Sequence, residues 1–122
     1  MKNTKKTISA KIIDAQNRAL GRLASEAAVS LMGKTKASFE RNKYCGIHVK
    51  VINAMKLRIT AKKLESIYHT RYSGIPGGLH IIKGTETALT KGLKELIRLA
   101  IYQMLPANKL RKKMMKNLAI TD

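Results

Sequence analysis

The chain is short of acid, cysteine, aromatics and long apolar runs, and each shortage excludes something. Seven Asp and Glu stand against twenty-five Lys and Arg, a formal charge of +18. So few acids cannot neutralise that charge internally. Cys45 is the one cysteine, so neither a disulfide framework nor a zinc cluster can be built on cysteine. It fits a reducing compartment. The longest uncharged stretch, Tyr72 to Ile82, has eleven residues, three of them glycine and one proline. A spanning helix needs about 20 predominantly apolar residues, so no membrane partner is expected. Met1 to Lys11 is lysine-rich without an apolar core, which is not the pattern of a secretory leader. There is no tryptophan, and the aromatics are Phe39, Tyr44, Tyr68, Tyr72 and Tyr102. Single-strand nucleic-acid binders offer rows of stacking platforms, and this chain has no such row.

What is present is a domain's worth of core material under a cationic surface. The 122 residues fit one domain, and 44% of them are hydrophobic. A charge of +18 far exceeds the roughly 2–8 that solubility asks of a small domain. Self-repulsion at that level costs stability, so a polyanion is the natural counterpart, with nucleic acid ahead of an anionic membrane.

Periodicity places the elements. Ile8, Ala10 and Ile12 alternate with Ser9 and Lys11, predicting a strand from about Thr7 to Asp14. Asn17 is positioned to cap a helix whose stripe is Leu20, Leu23, Ala24, Ala27, Ala28 and Leu31. Gly33 stands where a helix-ending glycine belongs. A basic connection, Lys34 to Gly46, leads to a second strand at Ile47 to Ile52, and a third short strand is expected at Lys56 to Thr60. Tyr68 to Gly78 reads as loop, at least from Ser73, because Gly74, Pro76, Gly77 and Gly78 exclude regular structure there; Leu79, Ile81 and Ile82 suggest another strand after it. Leu89, Leu93, Leu96, Ile97, Ala100, Ile101 and Met104 predict an amphipathic helix with a break near Lys91, ended by Pro106. A last helix is expected over Asn108 to Asn117. Strand, helix, strand in that order favours an α/β architecture with parallel pairing. Leu20, Leu23, Leu31, Leu93, Ile97 and Ile101 are the expected core.

The motifs for catalysis fail individually. Gly33-Lys34-Thr35 resembles the end of a P-loop, but Ala28 occupies the place of its first glycine, and the segment follows a helix instead of preceding one. His48, His69 and His80 accompany no nucleophile elbow, Cys45 and His48 have no second ligand pair, and the acids are scattered. No enzyme, cofactor, metal or small-molecule substrate is expected. Basic residues do gather, in three runs: Lys34, Lys36, Arg41 and Lys43; Lys56, Arg58, Lys62 and Lys63; and Lys109, Arg111, Lys112, Lys113 and Lys116. One such run is ordinarily a solvated face. Three in one small domain, with few aromatics, suit a folded RNA read through phosphates and shape. His69 and Arg71 lead into the Ser73-Gly74-Ile75-Pro76-Gly77-Gly78 loop, where glycines permit close backbone approach to phosphate or sugar; a plain surface turn is the competing reading. A free-standing messenger-RNA regulator and a small nucleotide-binding enzyme are the alternatives from other classes.

Several segments, in order, resemble a known family, the universal large-subunit ribosomal protein thirteen in its bacterial form. They are Ile13-Asp14-Ala15 with Leu20-Gly21-Arg22-Leu23-Ala24-Ser25, Leu31-Met32-Gly33-Lys34-Thr35-Lys36, Val51-Ile52-Asn53-Ala54, Thr60-Ala61-Lys62-Lys63, Tyr68-His69 with Ser73 to Leu79, and Met104-Leu105-Pro106 with Asn108-Lys109-Leu110. The resemblance implies a single three-layer α/β/α domain around a small, mostly parallel four-stranded sheet, with a basic C-terminal segment at about 107–122. It implies a non-catalytic constituent of the large subunit in the cytoplasmic ribosome, acting early in assembly, with large-subunit ribosomal RNA and neighbouring ribosomal proteins as partners. By position, Lys34, Lys36, Lys62, Lys63, His69, Ser73, Gly74, Gly77, Gly78, Asn108 and Lys109 are expected at or near RNA. The charge runs and the loop add Arg41, Lys43, Lys56, Arg71, Arg111, Lys112 and Lys113. The sequence departs from the family pattern at Ile47 (usually Asp), at Ala61 (usually Gly) and at Gln103 (often Gly), and it stops at Asp122 before a usual His-Pro ending.

Overall fold

A computed structural model describes residues 10–122. The expected strand start at Thr7 to Ser9 lies outside the described residues. Strand β1 (Ala10–Asp14) leads through a turn into helix α1 (Leu20–Met32) and then to β2 (His48–Ile52). A 3-10 turn (Ala54–Lys56), α2 (Ala61–Ser66), β3 (Tyr68–Tyr72) and β4 (Leu79–Lys83) follow. The chain continues through α3 (Gly84–Thr90), α4 (Leu93–Met104), α5 (Leu110–Lys116) and β5 (Leu118–Ile120).

The β1-α1-β2 unit has the predicted parallel pairing. Ile13 lies beside Val51, and Val49 beside Leu118 on β5, giving a parallel sheet of order β1-β2-β5. Alternation along these strands sends Ile13, Val49 and Val51 into the core. The opposite face carries Ile12, Lys50 and Ala119, all exposed. Helix α1 packs on β1 and β2 with its predicted stripe, and α4 lies along α1 with Leu96, Ile97 and Ile101 fully enclosed. The alanines at 24, 27 and 28 matter here, because small side chains let the helix settle close to its neighbours. Of the six expected core residues, Leu93 alone is only half-buried.

Two details of α1 divide prediction from outcome. Gly33 does end the helix, at φ +80°, with its N–H donating to the carbonyls of Ser30 and Val29. Asn17 does not begin it. Asn17 is itself in the left-handed region, at φ +56°, and the cap position is Ala19, which has no side-chain cap. The turn is held from elsewhere. The Asp14 carboxylate accepts from Asn53 Nδ2 and from the Gln16 N–H, each at 2.9 Å. Those two bonds hold its pKa below the usual value.

The expected four-stranded sheet is corrected. The described residues form a three-stranded parallel sheet and a separate antiparallel hairpin, β3-β4. The segment 56–60 contributes no strand. Leu57 and Ile59 turn to the core, and Arg58 makes only a single bridge to Ala19. Leu79 to Lys83 is a strand as expected, but it pairs with β3 across the glycine loop, the short connection an antiparallel pair allows. The three-layer expectation is corrected too: helices cover one sheet face, and the polar alternation at Lys50 leaves the other open among the described residues.

The long C-terminal helix is two. Lys91 and Gly92 separate α3 from α4, and Gly92 takes φ +83°. The break takes Leu89 off the stripe and leaves it 88% exposed. Helix α2 and strand β5 are not expected from periodicity, being six and three residues long. The loop expected from Tyr68 is corrected: Tyr68–Tyr72 is strand β3, held by its pairing with β4, and the loop begins at Ser73. Ala61 opens α2 as an ordinary helical residue, with the Thr60 hydroxyl accepting from the Lys63 N–H at 3.3 Å. The substitution of Ala for the family's glycine therefore fits without strain.

Candidate nucleic-acid interface

The basic connection after α1 is a chain of turns. Backbone bonds from Lys36 N–H to Gly33, from Phe39 N–H to Lys36 and from Lys43 N–H to Glu40 fold it without regular structure. The side chains of Lys34, Lys36, Arg41 and Lys43 are all exposed. The fold brings this connection against the start of α5. Lys34, Arg41 and Lys43 share the rim of one cavity of about 320 Å³ with Pro106 and Asn108, about seventy residues away along the chain.

The C-terminal group is more constrained. The Asn108 side-chain oxygen accepts from the Arg111 N–H at 3.2 Å. Arg111 donates from Nε to the Pro106 carbonyl at 3.1 Å, and its guanidinium lies 4.4 Å from the centre of the Tyr102 ring. Arg111 is thus anchored by stacking and hydrogen bonding, whereas Lys109, Lys112 and Lys113 extend from the surface. Tyr102 was not singled out by the sequence reading; nothing in linear spacing links it to Arg111.

Lys62 and Lys63 are exposed on α2, and Lys56 closes the 3-10 turn. Lys63 shares a second, smaller cavity with His69 and Gln103. His69 is half-buried. Its Nδ1 lies 3.2 Å from Gln103 Nε2, and its Nε2 is enclosed without a partner among the described residues. Burial lowers the His69 pKa, against a smaller upward pull from Glu95. His69, expected to lead into the glycine loop and add a donor near RNA, stands on β3 and turns toward α4. Gln103 was noted only as a departure from a common glycine, and it is the residue His69 meets.

The hairpin tip is exposed from Ser73 to Gly77. The Ser73 N–H donates to Gly78 at 3.3 Å, and the Gly78 N–H donates to Ile75 at 2.9 Å, closing the loop. Gly74 and Gly77 have φ of +85° and +81°, with open space where a side chain would stand. Gly78 differs: a Cβ there would meet the Ser73 hydroxyl. Arg71 lies beside His80 at the base of the loop, on the hairpin face shared with His69.

Ion pairing sorts the cations. Five pairs form among the described residues, and only Lys43–Glu40, at 2.9 Å, uses a residue of the expected contact set. Lys94 is spent on Asp122, Arg98 on Glu95, and Lys11 and Arg18 on Glu26. The other cations of the contact set have no acidic partner among the described residues. No group of three His, Cys, Asp or Glu there is placed to hold a metal. No described helix is long and apolar enough to cross a membrane.

Known proteins resemble this chain along most of its length. The model of the family described as ribosomal protein L13 matches residues 9–121. A large ribosomal subunit protein uL13 from Natranaerobius thermophilus is 46% identical over 88% of this chain and 75% of its own. The uL13 of Aquifex aeolicus is 43% identical over 89% and 75% of the two chains, and that of Thermus thermophilus 40% over 89% and 77%. A match along almost the whole chain, at these identities, means that this protein belongs to the ribosomal protein L13 family.

Proposed function

We propose that this chain is a structural, non-catalytic constituent of the large ribosomal subunit in the cytoplasm, and that it binds large-subunit ribosomal RNA and supports early assembly. Ribosomal RNA and neighbouring subunit proteins are its partners. The observation that carries the reading is the unbalanced surface charge. Lys34, Lys36, Arg41, Lys56, Lys62, Lys63, Arg71, Lys109, Lys112 and Lys113 have no acidic partner among the described residues, on a scaffold whose core is well formed. Phosphate is the ligand that such a surface neutralises without needing base contacts. The exposed glycine tip, Gly74 and Gly77, adds backbone that another chain can approach closely.

The test is equilibrium binding of the full chain to transcribed large-subunit rRNA over a salt series. Affinity falls with a log–log slope of about 0.7–0.9 per phosphate contact. Reversing Lys109, Lys112 and Lys113 to Glu weakens binding and shallows the slope by roughly one per lost contact, with an unchanged far-ultraviolet spectrum. Wild-type affinity in that triple variant removes α5 from the interface; affinity indifferent to salt in the parent chain removes the RNA reading.

A further inference from the structure

The cavity between the basic connection and the start of α5 is more than a gap under charged side chains. Its floor is apolar: Phe39, the lone phenylalanine, and three of the chain's six methionines, Met32, Met104 and Met114. Its volume, about 320 Å³, lies at the lower end of the roughly 300–1,000 Å³ range of small-ligand pockets, too small for a helix or strand of a partner. Its rim carries Lys34 and Arg41 without acidic partners among the described residues, and Glu40 is engaged by Lys43. Asn108 spends its side-chain oxygen on the Arg111 N–H, which leaves the Nδ2 donors at the rim without a partner among the described residues.

We infer that this cavity receives one unstacked nucleotide of the bound RNA. The proposal rests on the RNA-binding reading above and narrows it from phosphate contacts to a single base. A nucleotide has the two properties the cavity asks for together, a flat face that prefers an apolar bed and an anion on its edge. The Phe39 ring supplies a stacking surface, the methionine thioethers adapt to the base outline, and Lys34 and Arg41 meet the phosphate. The Asn108 amide donates to a base carbonyl or ring nitrogen. An acidic, apolar peptide from a neighbouring protein is the competing occupant, and a crosslink to protein instead of RNA would identify it.

Binding of the full chain to transcribed large-subunit rRNA, with ultraviolet crosslinking and mapping of the joined residues, tests this. Wild-type protein yields a crosslink from one nucleotide to Phe39 or Met104. Phe39→Ala loses about tenfold in affinity, as removal of a stacking surface does, and Met104→Ala loses less, each with the salt slope of the parent. Phe39→Tyr keeps a ring and binds like the parent, which separates a lost base contact from a lost fold. Arg41→Gln instead lowers the slope by about one. Salt-dependent binding that Phe39→Ala leaves untouched, with no crosslink in the cavity, overturns the inference and leaves the RNA reading standing. A crosslink from the cavity to a neighbouring protein in assembled subunits overturns it as well. Loss of salt-dependent binding by the parent chain overturns both.

Discussion

At the scale of single residues, Gly33 shows how one position serves two demands. Its φ of +80° closes α1, and a methyl group there would stand 2.8 Å from Cys45 Sγ. The cysteine packs over the helix end as a small apolar group, which gives the lone thiol a structural role. Gly33→Ala should cost at least about 1–2 kcal/mol for the left-handed backbone, read as a lower urea midpoint at constant slope. The methyl clash adds to that, and Cys45 Cβ stands almost as close, at 2.9 Å, so Cys45→Gly in the same chain, which removes both atoms, should recover part of the loss. Strict additivity of the two changes would show that the cysteine is not in the way.

His69 makes a second prediction at this scale. Burial holds its folded pKa below the ordinary 6.5. Above pH 6.5 the imidazole is neutral in both states, and its environment costs nothing. As pH falls below 6.5 the unfolded chain binds a proton that the folded chain does not, so stability declines until the folded pKa is reached. Glu95, with its pKa lowered by the Arg98 hydrogen bond, acts in a separate window: its contribution is present above 4.5 and lost as pH falls through its folded value. His69→Gln should therefore flatten the melting temperature as pH falls below 6.5, relative to the parent. A parent curve that is already flat there, or a variant that falls just as steeply, would remove His69 as the cause.

At the scale of elements, long periodic segments were legible and short ones were not. The α1 stripe stands as read because thirteen residues repeat one face several times. The α4 stripe holds from Leu93 onward, and the break at Lys91 and Gly92 falls where glycine weakens the pattern. Helix α2 and strand β5 have too few residues to show a period, and β3 has no buried residue to mark a core face. Strand β4 was visible as a strand but not as a hairpin partner, since pairing depends on what lies across the loop. Among site residues, the basic runs were readable from the chain alone. Phe39, Tyr102 and Gln103 were not, because each acts through a partner distant in sequence.

At the scale of the whole molecule, a charge of +18 sets two responses to salt in opposite directions. Screening relieves self-repulsion, so the melting temperature of the free chain should rise as salt increases from about 50 to 200 mM, where the Debye length shortens to about 7 Å. Over the same range affinity for rRNA should fall, because each neutralised phosphate releases a counterion to a more concentrated solution. Calorimetry beside binding measurements checks both. A melting temperature that ignores salt would mean that the surplus cations are too dispersed to strain the fold.

The residues by themselves determined the family, the parallel strand-helix-strand unit, the principal helix faces and the cationic character, because each of these is written in local order or in totals. Among the described residues, the tertiary structure decided how many strands share a sheet, that helices cover one face of it, which cations are already spent on acids, and that Phe39, Met104 and Asn108 come together around one cavity. Those are relations between segments far apart along the chain, and they exist only once burial of Ile13, Val49, Val51 and the α1 and α4 stripes has fixed where each segment lies.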